Sequence, residues 1–473
     1  MLITNVLLFR QEGTALRVED GHIKEIGKKL HPYLDELVID GKGGLLLPSL
    51  NDHHIHFLSL SAARQSVICG PPAIETENQL AEQLQTKSAT DNIKWIRGVG
   101  YHESVAGNID KFWLDIHTGG TPTRIQHRSG RLWIINTAAE KLLKEHILKL
   151  PKTLQTKIPT DGRIYDQDEL IHLISETMDL DYKGASIELA RYGITGINDM
   201  TPRNNKETTK LFKKLQKSGD LLQSVKISGT IELSKTPMAF SSNSMLSIGS
   251  TKIHLHEADL PDFSEFCQTI AKSHELNRGV AVHCVTELEL VYAISALSTV
   301  GAIKSDRIEH ASVTPPNLID QIAELDIQII TQPHFIEERG NHYYSSIDPK
   351  QHDWLYRCSS YLEHNVRLAA GSDAPFGSAN PWLSMKAATL RKTADGTLLG
   401  SSEKLRPMEA IDLYIGSLDN PSVPRTLSVG SKADLCLINQ TWEQLIVDLS
   451  QAHVSATFLR GELIYDGINQ PPI

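Results

Sequence analysis

Leu45-Leu46-Leu47-Pro48-Ser49-Leu50-Asn51-Asp52-His53-His54-Ile55-His56-Phe57 is the stretch on which the reading of this chain turns. An apolar run passes through Pro48 into Asp52, His54 and His56. Alternate residues of a strand share a face, so His54 and His56 point the same way if the run is extended. Two imidazoles projecting together can hold one divalent metal ion. A lone His-x-His equally suits a pair of packed or surface histidines. The other ligands must come from elsewhere in the chain.

On the N-terminal side, residues 1 to about 44 read as short strands and turns. Val6-Leu7-Leu8-Phe9 is one strand, and Ala15-Leu16-Arg17-Val18 another. The turn Glu19-Asp20-Gly21 then leads into His22 to Gly27. Strand character returns at Ala433 to Ile438 and at Ala456 to Tyr465. A composite β-sandwich built from both ends, residues 1–48 and 406–473, is the expectation. Between them, helical periodicity marks Asp166 to Tyr192, Phe263 to Leu276, Glu287 to Leu297 and Pro316 to Leu325. Short apolar strands alternate with these helices at residues 193–197, 279–282, 327–330 and 366–370. Such alternation predicts an α/β fold with a parallel sheet, and residues 49–405 suit a (β/α)8 TIM barrel with insertions. Candidate strands exceed eight by one or two. Residues 232–250 read as an insertion or a mobile loop near the mouth.

The totals narrow the function. The 473 residues are 40% hydrophobic and 22% charged, an ordinary globular balance with length for a large core. A net charge of -10 argues against nucleic acid as a partner. Five scattered cysteines without Cys-x-x-Cys suit reduced thiols in a cytoplasmic setting. No stretch is apolar for long enough to span a bilayer, and no leader pattern opens the chain, so no membrane is expected. A small-molecule substrate is the partner expected, with a homodimer compatible.

In barrels of this kind chemistry sits at the C-terminal ends of strands. Polar residues that close apolar runs are therefore the informative ones. Val280-Ala281-Val282 ends in His283, Arg307-Ile308-Glu309 in His310, and Leu368-Ala369-Ala370-Gly371-Ser372 in Asp373. The segment Thr251 to Glu257 carries Lys252, His254 and His256 on one alternate face. Each has a plain structural explanation as a hydrogen-bonded histidine, a solvated lysine, or an aspartate in a turn or cap. Their joint occurrence in this order is much harder to explain so.

These residues resemble the amidohydrolase superfamily, and within it the amidohydrolase-3 (YtcJ-like) group. Pro48-Ser49-Leu50-Asn51-Asp52-His53-His54-Ile55-His56 is similar to the motif that begins the superfamily's barrel, with Ser49 in place of a glycine. Lys252, His283, His310 and Asp373 fill the family's later positions. Gly21 to Gly27 and Gly430-Ser431-Lys432-Ala433-Asp434-Leu435 resemble its terminal β segments, and Gln332-Pro333-His334-Phe335 its seventh-strand sequel.

The resemblance implies a metal-dependent hydrolase of carbon–nitrogen bonds. His54, His56 and Asp373 would hold a first metal, and His283 and His310 a second. Lys252, carboxylated by carbon dioxide, would bridge them, because an ammonium has no lone pair to donate. One or two divalent ions are implied. Zn suits the donors, as do Fe, Mn or Ni. Asp373 would take a proton from the attacking metal-activated hydroxide or water and pass it to the leaving amine. Glu287 would support His283 from behind. His127, Arg128 and Arg131 form a basic cluster that either binds a substrate carboxylate or is solvated loop. Arg131 stands where the group often has histidine. Tyr101, His102 and Trp382 are candidates for the mouth, and the roles of His254 and His256 stay open. A mononuclear deaminase of the same superfamily is the alternative; Lys252, and Glu287 four rather than three residues after His283, lean against it. A non-catalytic scaffold would show missing ligands, and none is missing.

Overall fold

The structure, a computed structural model, describes residues 1–71, 73–90, 93–150, 152, 157–167, 170–171, 174, 180–235 and 244–468. The chain divides into two compact units, one of residues 1–57 with 182–473, the other of residues 58–181.

In the first unit, eight parallel strands follow one another around a sheet. They are Leu50–Ile55, Ile194–Asp199, Ser224–Gly229, Leu246–His254, Val280–Cys284, Arg307–His310, Gln328–Thr331 and Arg367–Ala370. Beyond the eighth strand the ring is drawn shut: Asp373 N donates to the His54 carbonyl at 2.7 Å, and His56 N to the Ala374 carbonyl at 2.9 Å. The result is the expected (β/α)8 barrel, nearly closed. Gly371 permits this closure, since a Cβ there would lie 2.3 Å from His54 N.

Local signals explain the helices between strands. Asn205 caps Lys206–Ser218, and Gly219 ends it in the left-handed region at φ 77°. Thr286 and Glu289 form a capping box on Glu287–Val300. The Phe263–Glu275 and Pro316–Glu324 helices stand where periodicity predicts them. The long pattern from Asp166 yields only Tyr182–Arg191 as a described helix. At 232–250, Ile231–Lys235 is a short 3-10 segment and Leu246 already begins the fourth strand; residues 236–243 lie outside the described residues.

Both chain ends enter one seven-stranded sheet. Val38–Pro48 is its hinge with the barrel: it pairs parallel with Leu2–Leu8 and antiparallel with Leu435–Ile438, and runs through Ser49 into the first barrel strand. Asp20-Gly21 and Arg460-Gly461 make two-residue hairpin turns with positive φ at both positions. The second of these splits the stretch expected as one strand into Val454–Leu459 and Glu462–Asp466. Ile3, Leu16, Leu46, Leu435 and Phe458 pack within this sheet's core.

Residues 58–181 carry a five-stranded sheet of their own, which the sequence reading does not separate from the barrel. Val67–Ile68, Ile96–Tyr101 and Thr123–His127 run parallel, with helices Glu77–Ser88 and Lys111–His117 between them. Among the described residues no helix is long and apolar enough to cross a membrane.

Candidate metal centre

His54, on the first barrel strand, His56 just after it, and Asp373 after the eighth each offer one ligand atom within 4.8 Å of the others. The Nε2 atoms of His54 and His56 stand 3.3 and 3.1 Å from Asp373 Oδ1. The chain reaches this geometry through unusual backbone. Asp373 and His310 adopt positive φ, 54° and 70°, so each side chain departs from the alternation of its strand.

The histidines of later strands join the same group of rings. His310 lies 4.8 Å from His54 and 4.5 Å from His283, centroid to centroid. His254 and His283 are register partners on adjacent strands, and their rings stack at 4.0 Å. His254 is thus a neighbour of the site, exposed, with His256 tilted against it at 4.4 Å. Lys252 is buried on the fourth strand, and its Nζ has no hydrogen-bond partner among the described residues.

Outer partners decide which ring nitrogen faces inward. His54 Nδ1 meets Glu309 Oε2 at 2.5 Å, His56 Nδ1 meets Thr201 Oγ1 at 3.1 Å, and His310 Nδ1 meets Gln332 Oε1 at 2.7 Å. With Nδ1–H donating to these oxygens, each Nε2 keeps its lone pair for the centre. Glu309, Thr201, Gln332 and the Arg307 that grips Glu309 escape the sequence reading. The available signal was Arg307 and Glu309 alternating on one face of a short strand that is buried throughout.

The electrostatics favour ligation. Burial pushes His310 down to about 3 and His283 well below its ordinary range, so both rings are neutral. Against the effect of burial, the His54 and His56 rings beside it hold Asp373 well below the usual carboxylate range. Burial pushes the Lys252 ammonium down to about 8. Asp52, raised to about 6 by burial, ties the first strand to the closing loop by accepting from Ser372 N at 3.0 Å.

The other candidates have surroundings of their own. Glu287 is exposed in the first helical turn. The carboxylate that organises that loop is Glu289, which accepts from Val285 N at 2.7 Å and Glu257 N at 2.8 Å. Trp382 is buried, its Nε1 donating to the Tyr192 carbonyl at 3.0 Å, so it is a core residue. Tyr101, His127, Arg128 and Arg131 belong to residues 58–181. There Tyr101 is buried and donates to the Gly107 carbonyl. Arg128 is half-buried, with its peptide N on the Tyr101 carbonyl. Arg131 forks onto Asp166 at 2.8 and 2.6 Å. His102, Glu103 and His127 also lie close enough for one ion. Their Nδ1 atoms, however, accept from the peptide N–H groups of Ser104 and Ser129. That puts the ring proton on Nε2, the atom facing Glu103, and such a tautomer does not ligate through Nε2.

A parallel barrel with histidines, an aspartate and a buried lysine at its strand ends defines a barrel protein fit for divalent metal. The profile of the amidohydrolase family matches residues 37–465, and the chain belongs to that family. It is 25% identical to the putative amidohydrolase YtcJ of Bacillus subtilis (strain 168) over 209 residues, 42% of this chain and 39% of that one. It is 21% identical to the N-substituted formamide deformylase of Arthrobacter pascens over 499 aligned residues, covering 91% of this chain and 90% of that protein. The crystal structure of an uncharacterized metal-dependent hydrolase from Pyrococcus horikoshii OT3 shares the fold, with a TM-score of 0.77 at 20% identity over 96% of this chain and 99% of the other.

Proposed function

We propose that the protein is a metal-dependent hydrolase that cleaves an amide-like C–N bond in a small molecule, whether amide, N-acyl or cyclic amide. The observation that carries this reading is the convergence of His54, His56 and Asp373 in the same barrel as the buried Lys252 ammonium, which has no hydrogen-bond partner among the described residues. A buried ammonium without a partner is costly, and its ionisation, pushed down to about 8, brings the neutral amine within reach. A neutral amine can add carbon dioxide and become an anionic oxygen donor. The residues present therefore fit a divalent metal. His54, His56 and Asp373 would hold one ion, and His283, His310 and carboxylated Lys252 another; Zn suits these donors, with Fe, Mn and Ni as rivals.

When bound, the metal supplies Lewis acidity towards the substrate carbonyl and lowers the pKa of water. Asp373 accepts the proton of the attacking water and delivers it to the leaving nitrogen. The C–N bond breaks, and a carboxylate and a free amine result. The name of the Arthrobacter pascens relative adds N-substituted formamides to the first substrates to try.

The test is metal content of protein purified without chelators, intact mass checked for carbon dioxide on Lys252, and a screen of formamides, N-acyl amino acids and cyclic imides. Bound metal with chelator-sensitive C–N hydrolysis is the expected result. Hydrolysis indifferent to chelation, or metal-loaded protein active only on aromatic ring amines, overturns it.

A further inference from the structure

We infer that Glu309, gripped by Arg307, is the positioning residue that presents His54 to the metal centre. This rests on the reading of His54 as a ligand.

The three histidines with described outer partners are not supported alike. His56 leans on a threonine hydroxyl and His310 on a glutamine amide, both neutral, whereas His54 leans on a carboxylate at 2.5 Å. Glu309 is fully buried, and so is His54. In the neutral ring, a carboxylate acceptor at Nδ1 selects the Nδ1–H tautomer, which leaves the Nε2 lone pair on the side of Asp373 Oδ1, 3.3 Å away. Negative charge behind an imidazole also makes it a stronger donor.

Arg307 keeps this carboxylate in place. Its Nε donates to Glu309 Oε1 and its Nη2 to Oε2 at 2.9 Å, a two-pronged grip. The same Nη2 donates to the His53 carbonyl at 2.7 Å, so one guanidinium fixes Glu309 and the backbone next to His54 together. The sixth strand thereby serves the centre twice, with His310 at its end and Glu309 one residue earlier reaching across to the first strand. Lys252 and Arg307 both act electrostatically on Glu309, so the carboxylate also balances positive charge beneath the site.

The experiment measures Zn affinity by chelator competition, and the visible absorption of Co(II)-loaded protein, in the parent chain, in Glu309→Gln, and in the double variant Arg307→Met/Glu309→Leu. The double variant avoids stranding a buried guanidinium. Glu309→Gln keeps an acceptor without charge and should weaken Zn about 10-fold; the double variant should weaken it towards about 100-fold, with shifted Co(II) bands in both. Unchanged affinity and bands in the double variant overturn the inference, because a strut that only supports the fold would alter neither. A double variant that does not fold after chelation assigns the pair to fold maintenance and overturns it equally. A parent chain that binds no metal overturns the functional reading itself, and with it this one.

Discussion

Asp373 and His54 are joined twice: the Asp373 peptide N donates to the His54 carbonyl at 2.7 Å, and Asp373 Oδ1 lies 3.3 Å from His54 Nε2. The backbone contact shuts the barrel, and the side-chain contact brings together the candidate ligands. Asp373→Asn keeps the first and removes the proton acceptor. Turnover should fall about 10²- to 10⁴-fold, with the chelated protein melting within a few degrees of the parent. Near-normal kcat at full metal content would remove Asp373 from the proton path.

Lys252→Met separates the lysine's two effects. Burial places the folded-state ionisation at about 8, while the unfolded chain holds the proton up to 10.5. Between those values the unfolded state binds more protons, so the stability of chelated protein rises with pH. Urea titrations across that window should show the slope in the parent and its absence in the variant. The variant should also carry one metal ion fewer per chain; retention of two would refute the bridging role.

Arg131→Ala should cost less than about 1 kcal/mol of stability, because the Arg131–Asp166 pair is nearly half exposed. With its guanidinium engaged by Asp166, the relative kcat/KM for acidic and neutral amides should not change. A selective loss on acidic amides would reinstate Arg131 as a substrate contact.

Trp382→Ala should destabilise the protein by about 3–5 kcal/mol, the ordinary consequence of emptying a buried aromatic site. Its kcat/KM per folded molecule should match the parent. Guanidinium unfolding combined with active-site titration checks both, and a large KM change in a stable variant would return Trp382 to the mouth.

Much of the site was legible because its candidate ligands advertise themselves locally. His283 and Asp373 each follow an apolar run, His310 closes a short strand, and His54 and His56 share a face of theirs. Their supports do not. Glu309 meets His54 across 255 positions and Gln332 meets His310 across 22, contacts that only assembly of the sheet creates. Residues 58–181 were illegible as a separate unit for a different reason. Strand Ile96–Tyr101, helix Lys111–His117 and strand Thr123–His127 repeat the barrel's own alternation, so periodicity alone gives no boundary. Arg131 and Trp382 carry plausible chemistry, but their uses depend on Asp166 and the Tyr192 carbonyl, partners no motif announces.

The barrel's seam has a bearing on how the protein is made. The contact between His56 and Asp373 spans 317 positions, and residues 58–181 are synthesised before the second strand can meet the first. Loop closure over such separations is slow and comes late in folding. The candidate metal centre therefore cannot form before the eighth strand has joined the first, and a nascent chain stalled short of that strand has no Asp373 with which to retain an ion. Folding followed by metal uptake should show the two reaching completion together, with the ion acting as a seal on a finished barrel rather than as a seed for it.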